Sequence, residues 1–263
     1  MTKPIRIEYR NVTKRFTSTR RAEAIVTAVE GVSLAIADGE VVSLIGPSGC
    51  GKSTLLNMGS GLYAPTDGEV LVDGVRVSGP NRHVAFMLQK DLLLPWRTIR
   101  QNVELGSEIQ KIDASARQQK SLELLDRFQL RGFEDHYPHQ LSGGMRQRAA
   151  LARTLAIDPL VLLLDEPFSA LDAQTKMVLQ ADLARTLATE RKTTLFITHD
   201  LTEGVVLSDR VLVMSRRPGR IVTEIKVDLP DRADAFARRQ HPRIIEYTRE
   251  LTNLLDIGHQ ALQ

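Results

Sequence analysis

The chain has 263 residues, of which 42% are hydrophobic and 25% charged, the values of an ordinary globular protein rather than a disordered or fibrous one. Its 35 Lys and Arg against 32 Asp and Glu leave a net charge of +3, too slight to argue by itself for a nucleic-acid partner. The single cysteine, Cys50, excludes an intramolecular disulfide and a Cys-rich metal site.

Met1 to Glu8 is punctuated by charge and has no apolar run of signal-peptide length. No apolar stretch approaches the ~20 residues of a membrane-spanning helix. A soluble intracellular protein is expected, with any membrane association made through a partner. Val41 to Ile45 reads as a buried strand that stops at Gly46, and Lys52 to Met58 as a helix. Glu69 to Val72 and Val75 to Val77 form a hairpin pattern around Asp73-Gly74, and His83 to Gln89 reads as another strand. After Pro95 the patterns turn helical up to Ala156, with Leu122, Leu125 and Phe128 on one face. Strands return at Leu160 to Leu164, Thr194 to Thr198 and Val211 to Met214, with a helix from Asp172 to about Glu190. Such alternation implies a parallel α/β sheet, into which residues 95–157 insert a helical subdomain. Near the end, Ile244, Tyr247, Leu251, Leu254 and Leu255 share a helical face that either docks on its own domain or serves a partner.

Gly46-Pro47-Ser48-Gly49-Cys50-Gly51-Lys52-Ser53 satisfies G-x-x-x-x-G-K-[ST] between a predicted strand and a predicted helix. Glycines there let backbone N–H groups, ending with those of Ser53 and Thr54, turn toward a phosphate chain at a helix N-terminus. Lys52 can reach the β- and γ-phosphates, and the Ser53 hydroxyl can ligate Mg²⁺. Cys50 is either tolerated filler or a thiol activated by the helix terminus. Leu160 to Leu164 delivers Asp165 and Glu166 to the carboxyl edge of the sheet, where α/β ligands bind. Asp165 suits Mg²⁺ and Glu166 suits activation of a water.

Leu141-Ser142-Gly143-Gly144-Met145 resembles the LSGGQ-type signature of ATP-binding cassette (ABC) ATPases, with Met145 in place of the usual Gln. Gln89, Asp165-Glu166-Pro167, Ser169-Ala170-Leu171-Asp172 and His199 follow that family's order, and the resemblance covers about residues 5–228. Residues 229–263 then form a C-terminal helical extension. The resemblance implies a P-loop NTPase (RecA-like) core, an N-terminal antiparallel β subdomain and an inserted helical signature subdomain. It implies that Phe16 stacks on adenine, with core packing as the rival reading. It also implies that Gln89 senses Mg²⁺ and the water, that His199 contacts the γ-phosphate, and that Ser142, Gly143 and Gly144 close over ATP held by a second subunit. Asp172 then communicates across the dimer.

Leu93, Leu94 and Trp96, directly after Gln89, are either subdomain core or a docking patch for a permease helix. With Arg217-Pro218-Gly219-Arg220-Ile221, this stretch is similar to the nitrate/sulfonate/taurine importer group. The expected protein is therefore the ATPase subunit of an importer, a homodimer binding ATP and Mg²⁺. Its expected partners are transmembrane permease subunits and, indirectly, an extracytoplasmic solute-binding protein, and its place the cytoplasmic face of the inner membrane. The alternatives are a soluble ABC ATPase acting on nucleic acid or the ribosome, and a P-loop metabolite kinase. No nucleic-acid partner is expected, since pairs such as Arg20-Arg21 and Arg216-Arg217 read as solvated faces.

Overall fold

The computed structural model describes residues 3–17 and 25–260, so the Arg20-Arg21 pair lies outside the described residues. Strands β1 (Ile5–Thr17) and β2 (Ile25–Ala37) come first, then β3 (Val41–Ile45) and helix α1 (Lys52–Gly59). Next are β4 (Asp67–Val72), β5 (Val75–Arg76) and β6 (Val84–Met87). Three helices follow, α2 (Ile99–Ile109), α3 (Ala114–Arg127) and α4 (Gly143–Ala156). Then come β7 (Val161–Asp165), α5 (Ala173–Thr189), β8 (Thr193–Ile197), α6 (Leu201–Leu207), β9 (Arg210–Met214) and β10 (Ile221–Lys226). Helices α7 (Ala235–Gln240) and α8 (Arg243–Gln260) end the described chain.

Two sheets carry the fold. One has the order β2-β1-β4-β5 and is antiparallel throughout. The other has the order β10-β9-β3-β8-β7-β6, parallel except for the antiparallel edge strand β10. Central parallel strands are buried on both faces, which explains their nearly continuous apolar runs, interrupted by Ser43 in β3 and by Thr193 and Thr194 at the start of β8. Their side chains still alternate between two cores. Val41, Ile45, Leu162, Leu164, Phe196, Val211 and Val213 face the helical side. Val42, Leu44, Val161, Leu163, Leu195, Ile197, Leu212 and Met214 face α1 and the antiparallel sheet. Helix α1 thus lies between the sheets, and the loop that starts it is held from both sides.

Capping residues set the helix starts. Thr98 forms a capping box with Gln101 at α2, and Asp113, Ser142, Asp172, Asp200 and Asp234 each accept a backbone N–H at the helices they precede. The face predicted for α3 is corrected in one position. Leu125 and Phe128 are buried, but Leu122 is exposed, and Ser121 points inward instead. Ser121 tolerates burial because its hydroxyl has two acceptors within hydrogen-bond reach, the Glu104 carboxylate and the Gln118 carbonyl. At the C-terminus, Ile244, Tyr247 and Leu251 are buried in the main core, with Leu254 and Leu255 packed against it. That face docks on its own chain.

No helix among the described residues is long and apolar enough to cross a membrane.

Candidate active site

Strand β3 ends at Ile45, and the loop Gly46–Gly51 turns the chain into α1. Gly51 is the N-cap, with φ +110°. A Cβ there would stand 2.6 Å from the Ala28 carbonyl oxygen on β2, so the loop can seat only glycine at this point. The ammonium of Lys52 folds back onto its own loop and donates to the carbonyls of Gly46 (2.7 Å) and Pro47 (2.9 Å). Those bonds position a cation at the helix N-terminus, where the dipole also favours an anion.

A cleft of about 440 Å³ opens beside this loop. Ser48, Gly49, Gly51, Lys52, Ser53 and Thr54 line its floor, and Phe16, Val26 and Ala28 form an apolar wall from β1 and β2. Gln89, Glu166 and Ile197 close the far side, and Arg217 stands at the edge. Phe16 is half-buried against the core and meets Tyr63 edge-on at 5.6 Å, with the Lys14 ammonium 5.3 Å from its ring centroid. It therefore packs on one side and faces the cleft on the other.

The acids occupy the carboxyl ends of the parallel strands, as expected for this sheet type. Asp165 ends β7 and is almost fully buried. Burial pushes its carboxyl above the usual range, opposed by a hydrogen bond from the Ser53 hydroxyl, while neighbouring Glu166 adds to the rise. Glu166 has a left-handed backbone, φ +49°, and its N–H donates to the Ile197 carbonyl at 3.1 Å on β8. A non-glycine residue held at positive φ costs free energy, and such strain gathers at functional sites. The Glu166 carboxylate accepts from Gln89 Nε2 at 3.0 Å and lies 3.4 Å from His199 Nδ1. Gln89 itself stands two residues beyond the end of β6 rather than within the strand.

The structure thus brings Gln89, Glu166 and His199 together around one carboxylate, next to Lys52, Ser53 and Asp165. It does not bring the signature to the same cleft. Ser142 caps α4 by accepting the Met145 N–H, and Ser142, Gly143 and Gly144 are not among the lining residues. Gly144 packs instead on Leu171, which a Cβ would approach to 3.0 Å. Asp172 caps α5 through the Thr175 N–H, and that bond holds its carboxyl below the usual range. Gly46, Pro47 and Cys50 shape the loop from beneath without lining the cleft. Burial pushes the Cys50 thiol up, so it is a buried filler and not an activated nucleophile.

The ABC transporter family profile matches residues 29–169. The chain belongs to the ABC transporter family. It is 43% identical over 251 residues to an uncharacterized ABC transporter ATP-binding protein of Methanocaldococcus jannaschii, covering 95% of this chain and 91% of that relative. It is 44% identical over 205 residues to the taurine import ATP-binding protein TauB of Yersinia pestis, covering 78% of this chain and 80% of that one. Among solved structures it is similar to an ATP-binding cassette captured as a dimer in a post-hydrolysis state bound to ADP and Pi. That match has a TM-score of 0.77 and 34% identity, and covers 84% of this chain and 98% of the other. This cassette is accordingly the ATP-binding, ATP-hydrolysing subunit of an ABC transporter.

Two sequence expectations about the cassette's surface are corrected by the structure. Arg217 is not merely part of a solvated face, because its guanidinium donates to the Gly49 carbonyl at 2.8 and 3.2 Å and lines the cleft. Leu93 and Trp96, read together as either core or docking patch, part company. Leu93 belongs to the main core, whereas Trp96 is 71% and Leu92 53% exposed. The loop carrying them is held by Asn102, which is fully buried, accepts the Leu94 N–H at 2.7 Å and donates to the carbonyls of Leu94, Arg97 and Thr98. Arg153 on α4 donates to the carbonyls of Asp91 and Leu92, and Arg146 pairs with the Asp91 side chain. These polar anchors carry no periodicity and no motif, so the sequence did not signal them.

Proposed function

We propose that this cassette powers an importer. Two copies clamp two MgATP head to tail, and hydrolysis drives a separate pair of permease subunits fed by an extracytoplasmic solute-binding protein. The subunit then sits peripherally on the cytoplasmic face of the inner membrane. The solute class is nitrate, a sulfonate, taurine or a similar small anion, a reading supported by the likeness to a taurine import protein. The observation that carries the dimer reading is the separation of the two phosphate-binding elements. Lys52 and Glu166 line one cleft, whereas the capped N-terminus of α4 at Ser142 opens elsewhere on the same chain. One triphosphate then needs the cleft of one copy and Ser142, Gly143 and Gly144 of the other, with Asp172 at the junction. The solved relative captured as a dimer supports the same arrangement.

Within the cleft, Phe16 stacks on the adenine. Lys52 and the backbone of Gly46 to Thr54 hold the phosphates. Ser53, Asp165 and Gln89 are hard oxygen donors that suit Mg²⁺, which keeps several waters and so needs no cluster of acids. Two of the three are already hydrogen-bonded to each other, and the Gln89 amide uses its nitrogen on Glu166, leaving its oxygen for the metal. When bound, Mg²⁺ supplies charge neutralisation at the β- and γ-phosphates. Glu166 accepts the proton of the attacking water, and His199, 3.4 Å from that carboxylate, contacts the γ-phosphate.

Complementation tests the reading. Lys52→Ala and Ser142→Arg each leave no intact composite site in a homodimer, but their mixture restores one per heterodimer. ATP-dependent association of differently tagged chains should recover on mixing. A mixture that associates no better than either variant alone defeats the two-subunit site.

A further inference from the structure

The turn between β9 and β10 is fastened to β2 by three contacts. The Gly219 N–H donates to the Ala28 carbonyl at 3.0 Å, and the Glu30 N–H donates to the Gly219 carbonyl at 3.0 Å. Arg220 pairs with Glu30 at 2.6 Å. A Cβ on Gly219 would stand 2.1 Å from the Cys50 carbonyl oxygen, so the turn lies flush against the P-loop. Its place is fixed by the same strand, β2, that supplies Val26 and Ala28 to the cleft wall.

That seat determines where Arg217 reaches. Nε and Nη2 donate to the Gly49 carbonyl, at 3.2 and 2.8 Å. The Nη1 edge has no hydrogen-bond partner among the described residues, and the side chain lines the cleft with Phe16, Ser48 and Gly49. Among the described residues only Lys52 and Arg217 are cations lining the cleft, and they act from different elements. Guanidinium is a planar fork whose free edge matches phosphate oxygens, and it stays charged at any working pH. One edge of the fork is committed to the loop, which limits its rotamer freedom before any ligand arrives.

We propose that Arg217 is a second phosphate-binding cation of this cleft, contacting the nucleotide polyphosphate from the β9–β10 turn while its other edge steadies Gly49. The inference rests on the reading of the cleft as the ATP site and adds a residue to it. The role is electrostatic, so it depends on charge and not only on the bond to Gly49.

Titration calorimetry of the full chain with ATP and Mg²⁺ at two salt concentrations tests it. Arg217→Ala should weaken ATP binding about 10-fold or more, the lower end of what a hydrogen bond to a charged group contributes, because the side chain is exposed. It should also reduce the salt dependence of the affinity, because one screened charge contact is gone. Arg217→Gln keeps a donor for the Gly49 carbonyl and loses the charge, so it should bind as weakly as the Ala variant. Arg217→Lys should recover part of the loss. Wild-type affinity in the Gln variant would reduce Arg217 to a loop prop, and wild-type affinity in the Ala variant would remove it from the site. Each variant's melting temperature without nucleotide shows that it is folded. A folded wild type that binds no ATP refutes the cleft reading itself, a separate outcome from either failure of Arg217.

Discussion

Replacing Asn102 by alanine should loosen the segment behind Gln89 without touching the ATP cleft. The amide is fully buried and ties down residues 94–98, accepting the Leu94 N–H and sharing its two N–H donors among the carbonyls of Leu94, Arg97 and Thr98. A net hydrogen bond contributes about 1 kcal/mol, and stranding a buried partner costs about 1–3 kcal/mol. Water can reach the half-exposed loop and satisfy part of what is lost, so about 3 kcal/mol in total is expected. For a chain of this size each kcal/mol lowers the melting temperature by about 2–4 °C, giving a drop of roughly 6–12 °C. Asn102→Asp should be worse at neutral pH, because a carboxylate would face three carbonyl oxygens. Circular dichroism melts of the three proteins give the ranking, and ATP titration in the cold should find the cleft intact in the Ala variant. An alanine variant that melts within a degree of wild type, or an Asp variant that outlasts it, refutes the claim that this amide organises the loop.

Trp96→Ala should move the melting temperature by a degree or two at most, since the ring is 71% exposed, while weakening co-purification with a permease; a clear loss of stability would return Trp96 to the core. Glu166→Gln should retain ATP binding and lose at least about 100-fold in turnover, measured by phosphate release, because an amide holds water but accepts no proton. Asp165→Asn should raise the melting temperature at neutral pH. Burial lifts the native Asp165 pKa, so the native state binds the proton more tightly than the unfolded chain and stability falls as pH rises from about 4 toward the lifted value. The gap between Asn variant and wild type should close as pH drops toward the ordinary carboxylate range, and a gap independent of pH would contradict this account.

Much of the core was legible because parallel strands buried on both faces write themselves as apolar runs, as at Val41 to Ile45 and Val161 to Leu164. The long strands β1 and β2 were not legible from pattern. They carry register shifts at Tyr9/Val12 and Lys14/Arg15, which break the alternation that marks a strand, and only the resemblance implied their subdomain. The P-loop and Glu166 lining one cleft, with Asp165 buried beside them at the end of β7, followed from motifs whose chemistry fixes their spacing. Arg217 escaped because its contribution depends on how a turn is docked, and the backbone bonds of Gly219 to Ala28 and Glu30 that dock it pair residues far apart in the chain, with no spacing to announce them. Leu122 and Ser121 show the opposite failure. Hydrophobicity named the wrong neighbour, because a hydroxyl with two partners can be buried at little cost.

The burial of Cys50 has a practical consequence. The chain carries one thiol and one indole, and they report on different places. The thiol lies beneath the P-loop, 1% exposed and 3.9 Å from the Lys52 ammonium, so an alkylating reagent can reach it only when that loop lifts. Its labelling rate therefore clocks the opening of the phosphate cradle, and nucleotide should slow it. The indole stands in solvent on the loop held by Asn102, where its emission changes when another surface covers it. The cassette carries two native probes, one for fuel and one for contact, and neither requires a foreign label to be engineered into the fold.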